Sequence, residues 1–218
     1  MKSSSNAREY SRVDDICVSI DHVLRALFGM PTTTARVYPA KDLAEPTLTA
    51  QELKQSAGIM RVNHAGEIAA QALYHGQGLM SRDQALQNKL QAAAIEEGDH
   101  LNWCKTRISE LGSHTSYLNP FWYAGSFMIG LAAGFVGDQW SLGFVAETER
   151  QVVEHLENQL EKLPPGDDKS AVILKQMQQD EAEHRDEALK SGAALLPVWI
   201  KNLMKLSASI MVKTAYWC

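Results

Sequence analysis

Two E-x-x-H strings, Glu97-Gly98-Asp99-His100 and Glu181-Ala182-Glu183-His184, each follow a single glutamate at nearly the same distance. Glu67 precedes Glu97 by 30 residues, and Glu149 precedes Glu181 by 32. On a helix, positions i and i+3 share a face, so each string presents a carboxylate and an imidazole in one direction. That direction is inward. Leu90, Ala93, Ala94, Leu101, Cys104 and Ile108 share the face of the first string, and Leu174, Met177 and Ala188 that of the second. A carboxylate in an apolar stripe is costly unless it is paired, protonated or metal-bound.

The two single glutamates fit the same scheme. Glu149 is the one charged member of a stripe formed by Leu142, Val145, Ala146, Val152, Val153, Leu156 and Leu160, whereas Glu147 falls on a polar face and is expected at the surface. Glu67 is the one acid between Glu52 and Asp83. If Glu67 and Glu97 face each other in a hairpin, its turn lies near residue 82, where Ser81-Arg82-Asp83-Gln84 has capping-box spacing. The turn between Glu149 and Glu181 falls at Pro164-Pro165-Gly166. Each arm is then about 15 residues, roughly 22 Å of helix. Two such hairpins put four carboxylates and two imidazoles at one level, the arrangement of ferritin-like di-iron and di-manganese bundles. Their formal charge of −4 matches two divalent cations, and oxygen with imidazole but no thiolate favours iron or manganese over structural zinc.

The rest of the chain supports an all-α reading, a ferritin-like four-helix bundle with additional N- and C-terminal helices. Helical periodicity predicts segments over 13–28, 50–80, from the capping box at Ser81 to about 111, 121–162 with a break near Gly137-Asp138, 168–191, and from Pro197 to the C-terminus. Residues 31–47 contain Pro31, Pro39 and Pro46 and read as an extended linker, so 1–47 separates from a bundle domain at 48–218.

Composition narrows the function. A net charge of −5 over 218 residues offers no bulk attraction for nucleic acid. Three dispersed cysteines, Cys17, Cys104 and Cys218, form neither a disulfide framework nor a thiolate metal site. No signal or transit peptide is legible in the first 30 residues, which favours the cytoplasmic face of a bacterial membrane. Residues 111–137 carry no Asp, Glu, Lys or Arg, and Gly125, Gly130, Gly134 and Gly137 suit either a buried, closely packed helix or a lipid-facing one. After Glu187 there are four lysines, Lys190, Lys201, Lys205 and Lys213, and no acid, a bias suited to an anionic membrane surface.

Five strings, R-V-N-H-A-G-E-I-A at 61–69, E-E-G-D-H at 96–100, N-P-F-W-Y-A-G-S-F at 119–127, G-F-V-A-E-T-E-R at 143–150 and D-E-A-E-H at 180–184, resemble the demethoxyubiquinone hydroxylases, membrane-associated di-iron enzymes of ubiquinone synthesis. The resemblance covers most of residues 50–218. It implies Glu67, Glu97, His100, Glu149, Glu181 and His184 as ligands of two iron ions. It also implies O2 as co-substrate, a polyprenyl quinone as substrate, a peripheral site on the cytoplasmic face of the cell membrane, and ubiquinone-biosynthesis proteins as partners. No strand-linked G-x-G-x-x-G is present, so electrons must come from NADH or a reductase. The competing reading is a ferroxidase or iron-handling protein on the same bundle. Tyr74, Asp99 and Asp180 are secondary candidates for hydrogen bonds to the ligands. His64 suits either the metals or helix packing, His155 has no ligand role, and Glu96 and Asp99 fall on solvated faces.

Overall fold

Thr49 starts the longest helix. Its hydroxyl accepts from the Glu52 N–H while the Glu52 carboxylate accepts from the Thr49 N–H, a reciprocal capping box. In the computed structural model, which describes residues 12–29 and 31–218, this helix is the second of seven among the described residues. They are α1 (Arg12–Phe28), α2 (Ala50–Met80), α3 (Gln84–Glu110), α4 (Asn119–Val136), α5 (Asp138–Leu160), α6 (Asp168–Lys190) and α7 (Val198–Ala215). No strand occurs among the described residues.

The expected capping box at Ser81 does not form. Ser81 ends α2, its N–H donating to Gln77 O, and Gln84 donates to Asn88 instead of reaching back. Asp83 caps α3, its carboxylate accepting from the Ala85 N–H at 2.9 Å. The turn still falls where the glutamate spacing places it. Gly137, at φ 139°, breaks the long apolar stretch into α4 and α5. Only glycine takes that backbone conformation without strain.

Helices α2 and α3 form one hairpin, and α5 and α6 the other. Two apolar layers close the space between them. One contains Met60, Trp103, Cys104, Ile108, Leu156, Ile173, Leu174 and Met177. The other contains Tyr74, Leu86, Leu90, Leu142, Val145, Ala146 and Ala188. Each fully buried Leu or Ile contributes about 2 kcal/mol, and in every helix the sequence between the two layers carries a polar level.

Helix α4 is the crossover, and it lies directly on α2. A Cβ on Gly130 would stand 2.3 Å from Leu73 O, and one on Gly76 2.4 Å from Phe127 O. Of the two uses open to these glycines, Gly130 serves close helix packing, while the opposite side of α4 exposes Phe121, Met128 and Phe135. No helix among the described residues is long and apolar enough to cross a membrane.

Residues 31–48 run as an extended strap over α3 and α6. The strap passes over Gly98, where a Cβ would meet Thr32 O at 1.9 Å. Asp99 then accepts from Thr34 N–H at 3.0 Å, from the Thr34 hydroxyl, and from Arg36 N–H at 3.3 Å. Asp99 is therefore buried by the strap, not solvated. Further along, Tyr38 OH donates to Glu110 at 3.0 Å, and Glu45 accepts from Arg107 at 2.7 Å.

Candidate metal centre

The polar level carries all six side chains expected there. Glu67 comes from α2, Glu97 and His100 from α3, Glu149 from α5, and Glu181 and His184 from α6. Glu67, Glu97, His100, Glu149 and Glu181 are buried. One donor atom from each of Glu67, Glu97, His100 and Glu181 lies within 4.8 Å of the others. Glu97 and Glu181 each face both imidazoles. His100 Nδ1 is 2.9 Å from Glu97 Oε2 and 3.1 Å from Glu181 Oε1, while His184 Nδ1 is 3.3 Å from Glu97 Oε1 and 3.4 Å from Glu181 Oε2. Glu67 Oε2 approaches His100 Nδ1 at 3.8 Å, on one side of this pair. Glu149 is in contact with Glu181 and accepts from the Tyr74 hydroxyl.

Both imidazoles turn Nδ1 inward and Nε2 outward, and each Nε2 meets a carboxylate of the opposite string. His100 Nε2 is 2.8 Å from Asp180 Oδ2, and His184 Nε2 is 2.9 Å from Glu96 Oε2. Asp180 immediately precedes Glu181, and Glu96 immediately precedes Glu97. The acid ahead of each E-x-x-H thus orients the histidine of the other. Asp180 takes the orienting role considered for it, Asp99 does not, and Glu96 stays half exposed as expected while also reaching His184. A signal was present, since both strings read acid-E-x-x-H.

Burial pushes the Glu67 and Glu149 carboxyls well above the ordinary range, and the charges of Glu97 and Glu181 push them further. Burial acts the same way on Glu97, but His100 and His184 outweigh it and hold that carboxyl low. For His184 burial disfavours the charge, yet Glu181 and Glu97 raise the imidazole to about 12. This much carboxylate charge in a dry interior collects cations, whether protons or metals. Glu97 Oε1 is buried with no hydrogen-bond donor. An acceptor left bare among imidazole nitrogens and further carboxylates is what a metal ligand looks like, so the donor set fits a bound divalent metal.

Other histidines lie apart. His64 packs beneath the start of α4, 3.4 Å from the Asn119 amide, and burial lowers it to about 3. His155 Nε2 is buried without a partner. Glu147 is not at the surface as expected. It is buried against Arg150 at 2.8 Å, Gln151 at 2.8 Å and Lys201 of α7 at 3.4 Å, because α7 covers the polar face of α5.

A bundle of two helical hairpins with a buried carboxylate–imidazole level defines the chain as ferritin-like. A family profile described as "Ubiquinone biosynthesis protein COQ7" matches residues 54–215, and the chain belongs to that family. Curated relatives named 3-demethoxyubiquinol 3-hydroxylase include that of Nitrosococcus oceani, 51% identical over 210 residues, which are 96% of this chain and 98% of the relative. Those of Coxiella burnetii RSA 331 (51% over 214 residues, 98% and 99%) and Nitrosomonas eutropha (50% over 205 residues, 94% and 98%) are similar at the same level.

Proposed function

We propose that the chain hydroxylates the ring of a polyprenyl demethoxyubiquinol at two iron ions held by Glu67, Glu97, His100, Glu149, Glu181 and His184. The observation that carries this reading is the buried level in which Glu97 and Glu181 each face both imidazoles, in a chain half identical to relatives named for that hydroxylation. Glu97 and Glu181 would be central to holding the ions, with Glu67 beside His100 and Glu149 beside Glu181 completing the set. When bound, ferrous iron would supply two electrons to dioxygen, one oxygen atom going to the ring and the other to water, and two electrons from NADH or a reductase would return the iron to the ferrous state. Asp180 and Glu96 fix the direction of the imidazole lone pairs, Tyr74 holds one oxygen of Glu149, and the two apolar layers exclude water.

The substrate's prenyl tail calls for a lipid surface. Val198, Trp199, Leu203, Leu206 and Ile210 are exposed along α7, where Lys201, Lys205 and Lys213 also lie. Together with the outer side of α4, this amphipathic face suits peripheral attachment to the cytoplasmic face of the cell membrane, where other ubiquinone-biosynthesis proteins would be met. The test supplies iron-loaded protein with O2, NADH or a reductase, and a demethoxyquinol in lipid, and reads the ring by mass. A gain of one oxygen atom is expected. Iron mineralisation without a hydroxylated ring would overturn the reading in favour of a ferroxidase.

A further inference from the structure

A cavity of about 530 Å³ lies in the groove between α2 and α3 under a roof formed by α1 and the start of the strap. Its size suits a substituted aromatic ring. Tyr74 is part of its wall, and the Tyr74 hydroxyl is bonded to Glu149, so this phenol ring touches both the cavity and the carboxylate level. The walls are largely apolar, through Leu90, Ala94, Ile95 and Leu79. Polar atoms enter from Gln71 and from the His75–Tyr123 pair, whose Nδ1 and hydroxyl oxygen are 3.1 Å apart.

The charge state of this wall selects the ligand class. Arg25 also lines the cavity, but Asp21 holds its guanidinium at 2.6 Å. Burial lowers the His75 imidazole, and burial raises the Tyr123 phenol to about 12, so both stay neutral near pH 7. With Arg25 already paired to Asp21, the neutral His75 and Tyr123 offer this largely apolar wall hydrogen bonds that suit quinone or quinol oxygens. The wall at Leu79 continues into an exposed apolar surface. Leu79 is 54% exposed and lies beside Met80, whose Cβ a side chain at Gly134 would meet at 2.7 Å, and Phe135 and Val136 next to Gly134 are exposed.

From this geometry we infer that the α1-roofed cavity seats the quinone ring, with Tyr74 touching both the cavity and the carboxylate level and the prenyl tail leaving over Leu79 and Met80. The inference rests on the hydroxylase reading, and the experiment separates the two. Gly78 lines the cavity, and a Cβ there meets nothing within 4 Å, so larger side chains enter the space without disturbing the helix. A series Gly78→Ala, Gly78→Leu and Gly78→Phe, with Ala94→Phe from the opposite wall, is compared with wild type. The probe is a demethoxyquinone carrying a short prenyl chain, and both its Kd and its hydroxylation are measured. Binding is expected to weaken with side-chain size, at least 10-fold for Gly78→Leu, with iron content and thermal unfolding held or raised. Wild-type affinity in a folded Gly78→Phe and Ala94→Phe overturns the cavity assignment, even where hydroxylation stands. Binding that the series blocks, without any hydroxylation by wild type, upholds the cavity and removes the reaction. A wild type that neither binds nor hydroxylates removes both.

Discussion

Arg36 grips Asp180 with two parallel hydrogen bonds, Nη1 to Oδ2 at 2.7 Å and Nη2 to Oδ1 at 3.1 Å, across 144 residues of sequence. The same Asp180 Oδ2 faces His100 Nε2. Arg36 lies over the Trp103 ring at 4.9 Å, which fixes the guanidinium plane. The strap therefore reaches the carboxylate–imidazole level through one carboxylate. Asp180→Asn is expected to weaken metal binding by about 10–100-fold, the usual cost of losing a carboxylate behind a ligating imidazole. Arg36→Met should cost less, because His100 keeps its partner, and Arg36→Lys should recover only part, since a lysine cannot make the two-point contact. Cobalt titration followed by visible absorption reads both affinity and ligand geometry. Equal affinity in Asp180→Asn would remove the relay.

Gly98 sits inside an E-x-x-H string for a reason unrelated to metal. Alanine there would place its Cβ 1.9 Å from a backbone oxygen of the strap, so the strap must move away. The gain in helix propensity, about 1 kcal/mol, is smaller than a crowding cost of about 1–3 kcal/mol. Gly98→Ala should lower the unfolding midpoint in urea and make residues 31–48 a site of early proteolysis, with α2 and α3 still protected. An unchanged midpoint with an unchanged digestion pattern would contradict this packing.

The glutamate level was readable because two independent periods agree on it. The i, i+3 spacing fixes the faces of Glu97, His100, Glu181 and His184, and the 30- and 32-residue intervals place the turns at Ser81–Asp83 and Pro164–Asp167. What local spacing cannot show is contact with a segment of no period. The strap places Thr34 and Arg36 on Asp99 and Asp180 across 63 to 144 residues, and so turns two acids that read as solvated or undecided into structural ones. Glu147 misleads for a similar reason: its face is polar along α5, but α7 returns to cover it. The exact capping residue at the first turn also escapes, because Ser81 and Asp83 both suit an N-cap and only the chain direction chooses between them.

Glu149 and Glu181 crowd one another in a dry interior, so removing one charge should act in opposite directions with and without metal. Burial first, and then Glu181 and Glu97, raise the Glu149 carboxyl well above its ordinary value. An amide in its place still accepts from Tyr74 and carries no charge to bury. Glu149→Gln is therefore expected to stabilise the metal-free protein by about 1–3 kcal/mol and to shrink the rise in melting temperature that ferrous iron produces. Calorimetry with and without iron under anaerobic conditions reads both terms. A destabilised metal-free variant would show that Glu149 is not under strain from its neighbours.

A different buried pair contributes to acid stability. Asp167 accepts from Arg107 Nη2 at 2.9 Å and from Ser170 N–H at 3.1 Å, far along the bundle from the metal level. Burial alone would raise this carboxyl, but the bonds to it and the Arg107 charge outweigh burial and hold it below its ordinary value. A lowered carboxyl contributes stability that is fully present above its unfolded pKa of about 3.9 and fades as pH falls through the lower folded value. Asp167→Asn should thus cost about 3 kcal/mol at pH 7, with the gap to wild type narrowing below about pH 4. Urea unfolding across pH 2–7 tests it, and a gap that stays constant with pH would assign the cost to packing instead of charge.

Exposure on α7 permits a test of membrane attachment that leaves the fold alone. Trp199 is 68% exposed, and Leu203 and Leu206 are each 59% exposed, so their replacement removes little buried area. Substitutions away from packed sites usually stay within about 0.5 kcal/mol. Trp199→Ser with Leu203→Ser and Leu206→Ser should keep the unfolding midpoint but reduce co-sedimentation with vesicles of mixed neutral and anionic phospholipid. Lys205→Glu with Lys213→Glu should weaken binding to anionic vesicles alone, by about 1 kcal/mol per lysine removed and more with the inverted charge, and 0.5 M salt should erase that difference by screening. If the triple serine variant sediments with vesicles as wild type does, the lipid contact lies on another face, and the outer side of α4 at Phe121, Met128 and Phe135 becomes the surface to alter.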